Sequence, residues 1–150
     1  MRVIIQRVSS AAVTIDGEVV GKIDSGFLLL VAVTHTDSEQ DVKLMARKVA
    51  QMRVFSDSEG KMNLALREVD NAAVLSISQF TLYADCRHGN RPAFIQAARP
   101  EQAEPLYNLL NRTLRDEYGL HVETGRFGAD MKVSLCNDGP VTIVLDSREL

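Results

Sequence analysis

Cysteine and histidine are scarce in this chain, with two and three copies in 150 residues. Cys86 and Cys136 form no C-x-x-C pair, and His35, His88 and His121 are too scattered for zinc-ligand spacing. A metal centre is therefore not expected, no cofactor is called for, and the cysteines read as free thiols in a reducing cytosol. Long apolar runs are missing too. None approaches the roughly 20 residues that a membrane span needs, and the opening Met1-to-Arg7 stretch is too short and polar for a secretion signal. The expected location is cytoplasmic, away from any membrane. Nor is there a surplus of positive charge: 17 Lys and Arg stand against 20 Asp and Glu, a formal net charge of −3. That balance argues against a broad basic surface for nucleic acid. One local candidate remains, Arg87-His88-Gly89-Asn90-Arg91, for which a solvated loop is an equally good reading. Lys61 follows Gly60 without Walker spacing, so no phosphate loop is indicated. Repeats, linkers and low-complexity tracts are also lacking. A single domain follows, long enough to bury about 70% of its unfolded surface.

The patterning that is present alternates strand with helix. Val3 to Val8 and Ala12 to Ile15 read as strands, and Asp16-Gly17 is a hairpin signal before Val19-Val20. Phe27 to Val33 is a continuous apolar run suited to a strand buried on both faces. Asp37 or Ser38 can cap a helix whose apolar positions are Val42, Met45, Val49 and Met52. Arg53 to Phe55 resembles a short strand, and a short helix is expected over Arg91 to Ala98. The clearest helix begins near Pro100, carries Ala103, Leu106, Tyr107, Leu110 and Leu114 on one stripe, and ends near Gly119. Lys132 to Leu145 supplies two further strands. The expected fold is α+β: a single domain, residues 1–150, with a largely antiparallel, barrel-like sheet and two main helices packed on one side.

Two polar islands interrupt this pattern. Ser78-Gln79-Phe80-Thr81-Leu82 follows the strand-like Val74 to Ile77, and Asn137-Asp138-Gly139-Pro140-Val141-Thr142 separates two strand-like runs. Gly-Pro inside a sheet loses a ladder hydrogen bond and calls for an explanation. Neither island holds His, Lys, Cys or Glu. Any chemistry there must come from hydroxyls, amides, backbone groups and the substrate itself.

Taken together, the segments Gln6-Arg7-Val8, Phe55-Ser56-Asp57, Gly60 to Leu64, the two islands, Gly89-Asn90-Arg91-Pro92, Thr124-Gly125-Arg126-Phe127 and Ala129-Asp130-Met131 resemble the D-aminoacyl-tRNA deacylase family. The similarity is to its D-tyrosyl-tRNA type and spans nearly the whole chain. The chain departs from the family pattern at Ala32, Ala65, Cys86 and the tail Asp146 to Leu150, all outside the islands. The resemblance implies a homodimeric hydrolase that cleaves the ester between a D-amino acid, or glycine, and the 3′-terminal adenosine of tRNA. It implies a cross-subunit site, with the Gly139-Pro140 peptide, in the cis form, projecting into the partner's pocket. By the same resemblance Arg7 helps hold that motif, and Phe127 and Met131 lie near the ligand.

The residue types suit such chemistry. A site that separates mirror images needs a wall that does not yield, and a Gly-Pro unit is stiff backbone with close approach allowed by the missing Cβ. The carbonyls of Gly139 and Pro140 can accept hydrogen bonds from a substrate ammonium, which would aim an L side chain into the bend; Asn137, Val141 and Thr142 flank it. A ligand-free tight turn is the commoner reading of Gly-Pro alone. In the first island, Ser78 and Gln79 offer donors and acceptors, nearby backbone amides suit an oxyanion, and Phe80 can pack on adenine or serve the core. Thr81 as a nucleophile needs an adjacent base, and none is near in sequence. A positioned water assisted by the substrate's 2′-hydroxyl is the preferred expectation. Cys86 and Cys136 lack a histidine partner, and Asp130 and Asp138 read as turn residues before a carboxylate pair. The competing class is a non-catalytic nucleic-acid-binding protein of the same fold.

Overall fold

Asp16 and Gly17 both adopt positive φ, 50° and 82°, and so close a two-residue hairpin between β1 (Arg2–Ile15) and β2 (Glu18–Ile23). The computed structural model describes all residues, Met1–Leu150. The two opening strands expected from the sequence are one continuous strand, because β1 has a partner along its full length. β3 (Gly26–Ala32) pairs antiparallel with the first half of β1, β2 with the second half, and β8 (Lys132–Asp146) runs along the other edge. β6 (Ala73–Ser78) and β7 (His121–Thr124) extend the sheet from β3 in parallel, giving the order β2-β1-β3-β6-β7. The sheet is therefore mixed. It is nearly closed into a barrel, since β2 folds back over β7: a Cβ on Gly21 would stand 2.8 Å from the Thr124 carbonyl oxygen.

The strands sort their side chains by alternation. Leu28, Leu75, Ile77, Val8 and Val13 fill the barrel interior. Phe27, Leu29 and Val31 face the other way, toward two helices, α1 (Glu39–Gln51) and α2 (Pro100–Asp116). Ser38 caps α1: its hydroxyl accepts from the Gln40 amide at 3.3 Å, while the Asp41 carboxylate accepts from the Ser38 amide at 2.9 Å. α2 starts on Pro100 and stops where Gly119, at φ 66°, donates its amide to the Arg115 carbonyl at 3.0 Å. A small antiparallel pair, β4 (Arg53–Ser56) and β5 (Met62–Ala65), sits apart from the main sheet.

Three further local readings need correction. Residues 91–98 form no helix. Ala93 exchanges backbone hydrogen bonds with Asp85 at 2.7 and 2.9 Å, and Ala97 bridges to Thr34, so tertiary pairing holds the segment open. β5 and β7 are strands that the periodicity does not announce, because four residues are too few to establish a period. The closing region is one 15-residue strand rather than two.

The last residue of β8 ties that strand to the start of β1. The Asp146 carboxylate, nearly buried, accepts from Arg148 at 3.0 and 2.8 Å and from Arg2 at 3.2 and 2.8 Å. Hydrogen bonds from Arg148, then from Arg2, outweigh burial and hold this carboxyl well below the usual carboxylate range. A depressed folded pKa contributes stability above the unfolded value of about 3.9, lost as the pH falls below it toward the folded value. Asp146→Asn should therefore cost roughly 1–2 kcal/mol in urea unfolding at pH 7. The difference from wild type should shrink between about pH 4 and pH 2. An equal deficit at both ends of that window would refute the assignment.

Candidate active site

A cavity of about 590 Å³ opens at the C-terminal ends of the parallel pair β3 and β6, the end of a parallel unit at which ligands characteristically bind. The Gln79 amide donates to the Val31 carbonyl at 2.7 Å, the last bond between the two strands. The chain then tightens into a 3₁₀ turn, Phe80–Tyr83. The Leu82 amide closes the first turn onto the Gln79 carbonyl at 3.3 Å. The Phe80 and Thr81 amides thus precede the first closed turn, where helix-type structures leave donors without intrahelical partners. The Gln79 side-chain amide donates to the Thr81 hydroxyl at 2.5 Å. Phe80 is 56% exposed and meets Phe94 edge-on, ring centroids 5.1 Å apart, so two aromatic rings stand at the mouth.

Below the mouth the lining is mostly apolar. Tyr107 of α2 faces the cavity with its ring 6.1 Å from Phe127, and its hydroxyl donates to the Ser76 carbonyl at 2.7 Å, fixing the end of β6 just before Ser78. Burial pushes the Tyr107 phenol up from its ordinary value, so it stays protonated. Met131 occupies the space that a side chain on Gly125 would need. The polar lining consists of Ser78, Gln79, Tyr107, Arg99 and Asp130; no His, Lys, Cys or Glu reaches it. Asp130 is exposed and paired with Lys132 at 2.8 Å.

The second island is an excursion from the β1–β8 ladder. Gln6 pairs with Thr142 and Val8 with Asn137, so Asp138 to Val141 bulge out opposite the single residue Arg7. The Arg7 side chain, 12% exposed, fills the gap. Its Nε donates to the Asp138 carbonyl at 3.1 Å and its Nη1 to the Val54 carbonyl at 2.5 Å. Asn137 clamps the bulge from inside: its Oδ1 accepts from the Val141 amide at 3.2 Å and its Nδ2 donates to the Thr142 hydroxyl at 2.9 Å. The Gly139-Pro140 peptide is cis, and Gly139 has φ 125°. A Cβ there would stand 2.8 Å from Arg7 Nη2. Both residues of the bend are exposed.

The predicted site residues thus fall into two groups. Ser78, Gln79, Phe80, Phe127 and Met131 share one cavity, with Thr81 exposed beside its rim. Arg7, Asn137, Gly139, Pro140, Val141 and Thr142 form the bend, which does not line the cavity of its own chain. Cys86 and Cys136 are free and exposed, and neither lines the cavity. Sequence reasoning missed Phe94 and Arg99 as lining residues and placed Tyr107 only in a packing stripe. Helical periodicity could show that Tyr107 faces inward, but not that its hydroxyl reaches β6.

The sequence profile of the D-Tyr-tRNA(Tyr) deacylase family matches residues 4–146. The chain belongs to this family of enzymes. Relatives named D-aminoacyl-tRNA deacylase include one from Brevibacillus brevis, 58% identical over 98% of this chain and 100% of its own length. Another, from Thermus aquaticus, is 58% identical over 99% of this chain and 97% of its own. Among solved structures, the c-Myc DNA Unwinding Element Binding Protein superposes with a TM-score of 0.87 at 38% identity, covering 97% of this chain and 98% of the other. A probable eukaryotic D-amino acid tRNA deacylase shares the fold alone, with a TM-score of 0.82 at 15% identity, covering 96% and 97%.

In this family member the Asn137 clamp should keep the bend in place. Asn137→Ala leaves the Val141 amide and the Thr142 hydroxyl without their partner, at a cost of about 1 kcal/mol. Faster hydrogen exchange at the Val141 amide is expected, with the α2 amides unchanged. Unaltered exchange at Val141 would show the clamp to be idle.

Proposed function

We propose that this chain hydrolyses the ester joining a D-amino acid, or glycine, to the 3′-terminal adenosine of tRNA, and so proofreads chirality in cytoplasmic translation. The observation that carries the reading is the separation of the two groups within one chain. The cavity holds the amide-rich end of β6, while the Arg7-anchored bend points outward with no cavity of its own. Two protomers reconcile them if the bend of one enters the cavity of the other. β8 supports this arrangement: it is an edge strand carrying exposed Leu135 and Val144 on either side of the bend. The active unit is then a homodimer with two cross-subunit sites.

In such a site the Gly139 and Pro140 carbonyls accept from the substrate ammonium. That fixes one substituent of the α-carbon. The ester carbonyl is fixed by the Phe80 and Thr81 amides at the start of the 3₁₀ turn, donors suited to the developing oxyanion. A D side chain then points away from the bend and an L side chain into it, while glycine has nothing to collide. Phe80 and Phe94 flank the adenine or its sugar. The cavity offers one carboxylate, Asp130, exposed and ion-paired, and Thr81 has only the Gln79 amide beside its hydroxyl. Neither arrangement makes a general base, so the 2′-hydroxyl of the terminal ribose is assigned to assist the attacking water. An aminoacyl ester needs little more than such positioning. The binding-only alternative is not favoured, since the relatives named as deacylases are 58% identical and the DNA-element-binding neighbour is 38% identical.

Matched D- and L-tyrosyl-tRNA test the reading directly. Release of D-tyrosine alone is expected, and equal release, or none, contradicts it. Cleavage of D-tyrosyl-tRNA ending in 2′-deoxyadenosine should fall by about 10² or more. Gly139→Ala, whose Cβ would press on Arg7, should lower D-ester turnover by about 10² by shifting the bend. Mixing Gly139→Ala protomers with Gln79→Ala protomers should restore part of the lost activity, because one native cross-subunit site forms per heterodimer. No restoration after verified subunit exchange would exclude the shared site.

A further inference from the structure

A second concavity lies back to back with the active-site cavity, and one thin wall separates them. The 3₁₀ turn sends Phe80 into the cavity and Tyr83 into the second cleft, which measures about 500 Å³. The next segment does the same, with Phe94 and Ala97 facing the cavity and Gln96 facing the cleft. The wall is pinned rather than loose. Thr34 Oγ1 donates to the Gln96 carbonyl at 2.6 Å, and Asp85 and Ala93 are cross-bonded.

The cleft is arginine-rich in a chain of net charge −3. Tyr83 forms its floor, with the Arg2 guanidinium 4.8 Å and the Arg148 guanidinium 5.7 Å from the ring centre. Arg87, 73% exposed, lies on the wall, and the loop that it opens also carries exposed His88 and Arg91. Arg2 and Arg87 line the cleft, and Arg148 shares the Asp146 carboxylate with Arg2, so three guanidinium groups stand against two carboxylates, Asp85 and Asp146. Arg2 also donates Nη1 to the Leu82 carbonyl at 2.7 Å, which holds it in the cleft as a fixed positive charge. Asp37 is paired with the amine of Met1. Burial, then Asp37 and Asp146, pushes the Tyr83 phenol up, so it adds no negative charge. Arg87 binds Asp85 through Nε and Nη2 at 2.9 and 2.6 Å and keeps Nη1 free to donate. The pair is exposed on its Arg87 side and of little net strength. Asp85 therefore orients Arg87 without consuming it.

We infer that the Arg2–Arg87 cleft receives the phosphodiester backbone of the single-stranded nucleotides that precede the terminal adenosine. The inference rests on the deacylase reading, which puts that adenosine at the Phe80–Phe94 mouth. A strand leaving the mouth over the Phe80–Tyr83 wall meets guanidinium groups within one 3₁₀ turn, about 6 Å along its axis. The charged lining of the cavity itself is Arg99 and Asp130, the latter already paired with Lys132 at 2.8 Å. Exposed rings flanked by arginines are the arrangement by which single strands are held without sequence reading.

Two substrates separate this contact from the chemistry: D-tyrosyl-tRNA, and the D-tyrosyl ester of free adenosine, which has no phosphodiester. Arg87→Ala/Arg91→Ala should raise KM for the tRNA substrate about tenfold while leaving kcat, and all cleavage of the adenosine ester, unchanged. The dependence of log KM on log salt should become shallower by roughly 0.7 for each lost phosphate contact. Arg87→Lys on the wild-type background should keep most of the affinity. Equal losses on both substrates, or an unchanged KM and salt slope on tRNA, would overturn the assignment. A wild-type chain that cleaves neither ester overturns the deacylase reading as well, and that result needs no variant to recognise.

Discussion

The mismatch between β1 and β8 organises the rest of the molecule. Between two registered pairs, β1 provides one residue, Arg7, and β8 provides four, Asp138 to Val141. Extra residues in one strand of a pair must leave the ladder and take their unpaired backbone groups with them. Here the surplus is not left to solvent. The Arg7 guanidinium reaches into it, holds the Asp138 carbonyl on one side and the Val54 carbonyl on the other, and thereby couples the bulge to the small β4–β5 sheet. Asn137 closes the same bulge from its other flank. The bend is therefore anchored to two sheets, although its tip is exposed.

The cavity depends on a different economy. Parallel pairing of β3 with β6 ends at Val31 and Ser78, and the chain beyond must satisfy its own amides. It does so partly, through a tight turn whose first amides lie before any closed hydrogen bond. Packing supplies the remainder of the site: α2 brings Tyr107 against the Ser76 carbonyl, and the 125–131 segment brings Phe127 and Met131 over the barrel mouth. Under the proposed function, this cavity contributes donors and shape rather than a strong base. That agrees with a substrate whose ester is already activated and which carries a hydroxyl next to the bond to be broken.

Much of this was legible beforehand, and the exceptions have physical causes. The Asp16-Gly17 hairpin, the β3 run, the Ser38 cap and the Pro100–Asp116 helix with its Gly119 stop all rest on local rules, namely positive φ, burial on both faces, side-chain capping and 3.6-residue periodicity. β5 and β7 were illegible because four residues carry no period, and 91–98 misled because its bonds go to Asp85 and Thr34, outside the window in which helical pattern is judged. Phe94 and Arg99 escaped notice for a related reason. Each becomes a cavity residue only through what lies opposite it.

The order of residues alone determined the two polar islands, the absence of a base within them, the stiffness of Gly139-Pro140 and the family pattern that binds these segments together. These are properties of adjacent residues, set by side-chain chemistry and backbone freedom. Tertiary structure alone decided that Arg7 fills the bulge from a strand more than a hundred positions away, that the bend faces away from its own cavity, and that an arginine-lined cleft backs onto the mouth. Those facts depend on which strand edges meet and in what register, and register is a balance of many distant contacts that no short window of sequence contains.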